Sequence, residues 1–284
     1  MKLASYAVNG RKTFGIYSEG GLIDLGQRLA GRYVDMKDLL ARGSLDEARA
    51  FAHDKPDHCE TEVCFLPTID QPGKIFCVGM NYADKRAEFA ETDPAPTLFI
   101  RFAYSQTGHC RPILKPAQTH EFDYEGELAL IIGRAGYRIS ASEAYSHVAG
   151  YSCYMDGSVR DWQHSWFTAG KNWRETGSLG PWLVTTDEIP DPHALRIGTW
   201  LNKAQVQDDS TGNMIHHIPE LIEYISTFSP LEAGDIIVTG SPGGVGKKRN
   251  PPLFLKDGDC VEVEIEKIGR LRNIVVQEQV AVGV

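Results

Sequence analysis

Hydrophobic and polar positions in this chain are organised as many short apolar runs, several of them closed by glycine, asparagine or aspartate. Such runs predict strands, buried where the run is unbroken. They fall at Lys74 to Gly79, Thr97 to Ile100, Pro112 to Leu114, Glu127 to Ile132, Val148 to Met155, Trp182 to Thr186 and Leu195 to Asn202. Three more follow at Asp235 to Thr239, Cys260 to Ile265 and Leu271 to Val276. Residues 1 to 25 carry turn signals at Asn9-Gly10 and Glu19-Gly20-Gly21, the pattern of a small antiparallel meander. Helical spacing is confined to short segments: Met36 to Leu40, a stretch after Ser44 with Glu47 placed for a capping box, a charged segment ending near Glu91, and Pro219 to Thr227. Strands that do not alternate with long helices argue against a doubly wound parallel sheet, so the expected class is mostly β with short helices. Pro67 to Gly73 is rich in turn formers and reads as a linker, dividing a small N-terminal α/β domain (1–70) from a catalytic domain (71–284).

The chain has 284 residues, 42% hydrophobic and 24% charged, an ordinary globular composition. No apolar run approaches the roughly 18 residues of a membrane span, so no membrane association is expected. A formal charge of -9 argues against nucleic acid as a partner, because phosphate backbones are held by lysine and arginine. It leaves room for a small anionic substrate, which responds to the local field of a pocket. The six cysteines form no C-x-x-C pair and the N-terminus has no signal-peptide core, so reduced thiols in a reducing cytosol are expected.

The chemistry centres on Asp123-Tyr124-Glu125-Gly126-Glu127, which leads into an apolar run. Side chains repeat with period two on a strand, so Glu125 and Glu127 point the same way at its mouth. Adjacent carboxylates repel unless a proton or cation lies between them, and a hard divalent ion suits oxygen ligands. The alternative is a pair of exposed glutamates. Asp156 closes the run Val148 to Met155 and is placed either to complete an oxygen cage or to make a turn. Arg160 offers a planar fork for a substrate carboxylate, or a salt bridge to Asp161. Lys171, among Trp166, Phe167 and Trp173, could stabilise an enolate or oxyanion, or rest on a ring at the surface. Gly240 to Lys248 fails the phosphate-loop pattern, because Ser241 stands at the first glycine and Lys248 follows the lysine. It suits a loop bringing backbone amides near a small ligand, or a tight connection. Zinc-protease and serine-nucleophile patterns are missing, and His216-His217 read as surface or packing residues.

Taken in order, several pieces resemble the fumarylacetoacetate hydrolase family: Cys77-Val78-Gly79-Met80-Asn81-Tyr82, Asp123 to Leu128, Gly150-Tyr151, Asp156 with Arg160 to Gln163, Lys171, Leu179 to Trp182, Gly234 to Gly246 and Lys256 to Asp259. The resemblance implies a twisted β-roll paired into homodimers. It implies Mg²⁺ or Mn²⁺ on Glu125, Glu127 and Asp156, and a 2-oxo acid whose enolate is steadied by Lys171. It places Tyr82, Arg160, Gln163, Thr239 and Gly240 around the substrate. The family's opening motif reads Asn-Tyr-x-x-His, with the histidine and a nearby glutamate activating water; here Lys85 stands at the histidine and Glu88 keeps its place. An ordinary ammonium cannot accept a proton at pH 7, unless burial or a nearby cation depresses its pKa. Otherwise Lys85 would pair with Glu88 along the helix. Met155, Gly157 and Ser241 are smaller departures.

The leading expectation is therefore metal-dependent C–C hydrolysis of a small 2,4-dioxo acid, with Lys85, Glu88 and Lys171 as catalytic residues. The alternatives are tautomerisation of a 2-hydroxymuconate-type acid or decarboxylation of an oxaloacetate-type acid in the same fold. A third is a homologue that binds metal or metabolite without turnover.

Overall fold

The computed structural model describes residues 1–164 and 166–279, so the last five residues of the expected 71–284 domain lie outside the described residues. The fold is mostly β with short helices, as the spacing of apolar runs predicts. One long mixed sheet forms the centre. Its strands run in the spatial order His58–Cys59, Gly21–Asp24, Arg11–Ser18, Lys2–Val8, Gly177–Thr185, Val148–Met155, Gly126–Ile132, Ile236–Val238, Ile75–Gly79 and Thr97–Arg101. A second sheet of five strands packs across it: Ala204–Ser210, Arg196–Leu201, Cys260–Ile265, Gly269–Gln277 and Ile113–Lys115.

Gly126–Ile132 shows why a central strand reads as an unbroken apolar run. Every residue in it is buried. Leu128, Leu130 and Ile132 point into one core cluster, while Ala129 and Ile131 point into another on the opposite face. Alternation sends successive side chains to opposite faces, so a strand covered on both sides must be apolar throughout.

The meander Lys2–Val8, Arg11–Ser18 and Gly21–Asp24 is present, and it does not stand apart from the central sheet. Lys2 and Leu3 pair with Val184 and Leu183. The core cluster holding Leu3, Phe14 and Leu39 also holds Cys77, Ile131 and Leu183, so residues on both sides of the Pro67 to Gly73 segment share one interior.

Two local expectations change. Ser44 precedes the helix Leu45–Arg49 but its side chain makes no cap; it donates to Arg42 O, and Glu47 instead accepts from Tyr33 Oη at 2.8 Å. Ser44 has φ −99° and ψ 26°, not the extended backbone that aims a capping hydroxyl back at the helix. The strand Ala204–Ser210 has no apolar signature because it is an edge strand with mostly polar, partly exposed side chains. No helix among the described residues is long and apolar enough to cross a membrane, and all six cysteines are free thiols.

Candidate metal and substrate site

The site forms where central strands of the large sheet meet at one end. Gly126–Ile132 pairs antiparallel with Val148–Met155, with Gly126 opposite Met155. Glu125 and Asp156 therefore face each other just beyond the strand ends, joined by Asp156 N donating to Glu125 O at 2.8 Å. Glu127 lies two residues further along, inside the strand and opposite Tyr154. Carboxylate oxygens of Glu125, Glu127 and Asp156, all buried, lie within 4.8 Å of one another. Hard anionic oxygens at this separation, withdrawn from water, are the donor set that suits Mg²⁺ or Mn²⁺.

The cluster already gathers cations. Lys171, at the end of the short helix Thr168–Lys171, donates to Glu125 Oε2 at 2.5 Å, to Ser158 Oγ at 2.6 Å and to Asp156 Oδ2. Lys85, on the helix Ala83–Phe89, donates to Glu125 Oε1 at 2.6 Å and to Ser241 Oγ at 3.3 Å. Arg160 reaches Asp123 Oδ2 at 2.9 Å, Glu125 Oε1 at 2.8 Å and Gln163 Oε1 at 3.2 Å. Its fork is thus held by protein acids, and Asp161 is engaged by Thr119 and His120 instead.

These contacts set proton affinities. Burial pushes the Glu125 carboxyl up, but Arg160, Lys171 and Lys85 outweigh it and hold it well below the usual range. Glu127 goes the other way: burial, then Asp156 and Glu125, raise it well above the ordinary value. A carboxylate in that position calls for a positive charge beside it. Lys171 is lowered by burial but raised overall by Asp156 and Glu125. Lys85 is drawn below the ordinary lysine value by burial, which Glu125 only partly offsets.

The glycine-rich loop after Val238 turns its amides to the protein's own acids. Gly240 N donates to Glu127 Oε2 at 2.6 Å, Gly243 N to Asp84 Oδ2 at 2.9 Å and Gly244 N to Glu88 Oε1 at 2.7 Å. Gly246 N and Lys247 N both reach Asp123. The loop orients acidic side chains on its neighbours. A side chain at Gly246 would meet Leu253 O at 1.8 Å, so the close approach requires glycine there.

Of the expected catalytic, metal-ligating and substrate-binding residues, Arg160, Lys85, Lys171, Glu125 and Glu127 line one cavity with Ser241 and Phe99. Gln163 lines an adjoining one. Thr239, Gly240 and Tyr82 line neither: Thr239 Oγ1 donates to Leu128 O, Gly240 N is turned onto Glu127, and Tyr82 is fully buried beside Met214. Lys85 does not pair with Glu88; its long stem reaches the Glu125 carboxylate instead, and Glu88 Oε2 is buried without a partner. Arg101 escapes sequence inspection. It is buried at the end of Thr97–Arg101 and pairs with Asp156 Oδ1, also reaching Thr176 Oγ1 at 2.8 Å. The available signal is a charged residue directly continuing the apolar run Thr97 to Ile100.

The family model for the fumarylacetoacetate (FAA) hydrolase C-terminal domain matches residues 74–276. The chain is 40% identical over 266 residues to the mitochondrial oxaloacetate tautomerase FAHD2A of Bos taurus, covering 90% of this chain and 84% of that protein. A putative HpcE protein from Mycobacterium smegmatis superposes with a TM-score of 0.87 at 31% identity, over 98% of this chain and 100% of the other. Maleylpyruvate hydrolase from Sphingobium sp. SYK-6, solved in complex with manganese(II) and pyruvate, gives a TM-score of 0.84 at 25% identity, over 98% of this chain and 100% of that one. With the family model covering most of its length and a site built of buried carboxylates and lysines, this chain belongs to the fumarylacetoacetate hydrolase family.

Proposed function

We propose that the protein is a divalent-metal-dependent tautomerase that interconverts the enol and keto forms of a small 2-oxo acid, with oxaloacetate as the reference substrate. Glu125, Glu127 and Asp156 would hold Mg²⁺ or Mn²⁺. When bound, such an ion supplies Lewis-acid stabilisation of the negative charge on a 2-oxo acid's oxygens.

The observation that carries the choice of reaction is the state of Lys85. Its Nζ is buried and donates to Glu125 Oε1 at 2.6 Å and to Ser241 Oγ at 3.3 Å, so the group standing where a hydrolase needs a water-activating base is turned onto the protein's own acid. Tautomerisation moves a proton between carbon and oxygen and needs no attacking water. Lys171, Lys85 and Arg160 surround the reacting end with positive charge, which favours an enolate-like transition state over a neutral ground state. A formal charge count points to a dianion. Buried Asp123, Glu125, Glu127 and Asp156 are balanced by buried Lys85, Arg101, Arg160 and Lys171. A divalent cation leaves two positive charges, which a dicarboxylate neutralises. The relative named oxaloacetate tautomerase acts on such an acid.

A second reading, C–C hydrolysis of an acylpyruvate, is favoured by Glu88, whose buried, unpartnered Oε2 is free to accept a hydrogen bond from water. The neighbour named maleylpyruvate hydrolase supports it.

The test follows the enol absorbance of oxaloacetate and, separately, pyruvate release from an acylpyruvate, with Mg²⁺, Mn²⁺ or chelator. Metal-dependent acceleration of oxaloacetate ketonisation without pyruvate release is expected from the wild type. Lys85→His should gain acylpyruvate cleavage if the scaffold lacks only the base. Metal-dependent cleavage by the wild type would replace tautomerisation with hydrolysis, and silence on both substrates would overturn the metal-enzyme reading.

A further inference from the structure

The metal-ligand cavity is small, about 20 Å³ in the observed arrangement of Lys85 and Lys171, enough for one water-sized group. Whatever lies beyond the reacting end of a substrate must sit elsewhere. A second cavity of about 380 Å³ adjoins it, and Met80, Arg160 and Phe167 line both. The walls of the outer cavity are apolar at Phe89, Trp166 and Phe167, and its far side carries Lys247 and Lys248.

The polar groups there are not equally engaged. Lys247 is paired with Glu121 at 3.1 Å. Glu91, the acid on the wall, turns Oε1 back to the backbone N–H groups of Thr92 and Asp93. Lys248 has no carboxylate within salt-bridge distance among the described residues; its ammonium lies 4.3 Å from the centre of the Phe89 ring. Gln163 gives its Oε1 to Arg160, which fixes the orientation of the amide, and its buried Nε2 has no partner. A buried donor without an acceptor is costly unless a ligand supplies one.

The Phe89 ring, on the wall of the outer cavity, has a lysine from each cavity near it. Lys85 stands 5.3 Å from its centre on the metal side, and Lys248 stands 4.3 Å from it on the outer side. The separation of the two ammonium groups is therefore no greater than the sum of those two lengths, a span that a short carbon chain crosses.

We propose that the outer cavity is the subsite for the far end of the substrate, where Lys248 and the Gln163 amide receive a second carboxylate. The class selected is 2-oxo dicarboxylic acids of oxaloacetate length or longer, with the intervening carbons passing Met80 and Phe167. This rests on the reading of the inner site as a metal-assisted 2-oxo acid site.

The test is calorimetric binding of 2-oxoadipate and 2-oxohexanoate, equal in chain length and differing in the distal carboxylate, to Mn²⁺-loaded protein. Wild type should favour 2-oxoadipate by about tenfold, the worth of one charge-assisted contact. Lys248→Gln should bring the ratio near one, and Lys267→Gln, on an exposed turn, should keep it. Equal affinities in wild type, or a ratio that survives Lys248→Gln, would overturn the subsite and leave the inner site standing. If neither acid binds the Mn²⁺-loaded protein while Mn²⁺ itself does, the 2-oxo acid reading falls and takes the subsite with it.

Discussion

At the scale of single residues, this protein relies on charged groups held away from water, and each depends on its partners. Glu125 stays ionised only because Arg160, Lys171 and Lys85 surround it. His109 is the uncharged counterpart. It is buried, its Nδ1 accepts from Arg272 N at 3.1 Å, and burial followed by the Arg272 charge pulls its pKa down to about 4. The folded state thus refuses a proton that an unfolded histidine accepts near its ordinary value of 6.5. Unfolding takes up a proton between those values, so stability is full above about 6.5 and falls as the pH drops toward 4. The shift corresponds to a loss of about 3 kcal/mol. Urea midpoints at pH 7 and pH 4.5 should fall further apart in wild type than in His109→Asn. Equal acid sensitivity in both would show that His109 does not carry this part of the acid limb.

At the scale of elements, the close packing of the two sheets depends on a missing side chain. Gly126 opens the strand that carries Glu127, and a Cβ there would lie 2.1 Å from Thr199 Oγ1 on the second sheet. Gln207 Oε1 accepts from both Gly126 N and Thr199 Oγ1, locking the two sheets where the buried carboxylate cluster begins. Gly126→Ala must push the sheets apart or break that link, at a cost of about 1–3 kcal/mol. The expected result is a lower denaturant midpoint together with weaker Mn²⁺ binding, because Glu125 and Glu127 flank the displaced backbone. A variant with wild-type midpoint and wild-type Mn²⁺ affinity would show that the sheets tolerate the methyl.

At the scale of the whole molecule, the N-terminal meander is hydrogen bonded into the central sheet and shares a core with it. Separating the first seventy residues would expose Leu183 and Ile131 as well as Leu3 and Phe14. We therefore propose that the segments on either side of residue 70 unfold together. The five tryptophans all lie between Trp162 and Trp200, none in the meander itself, though the Trp182 ring stacks on Tyr17 with 4.2 Å between ring centres. Tryptophan fluorescence and far-ultraviolet dichroism should follow one coincident denaturant transition. A dichroism change preceding the fluorescence change would show an N-terminal unit that melts separately.

The sequence by itself determined the class of fold and the family, because buried strands must be apolar and the turns between them need glycine, proline or asparagine. Val148–Met155 and Cys260–Ile265 are bounded as their apolar runs predict. The period of two also dictates that Glu125 and Glu127 share a side, a local property of a single strand. Tertiary structure decided the rest, since it concerns residues distant in the chain. It joins Arg101 to Asp156, turns the loop amides onto Glu127 and Glu88, and carries Lys85 past Glu88 to Glu125. No spacing along the chain encodes those meetings. They follow from which strands lie side by side and from the cost of leaving a buried charge without a partner.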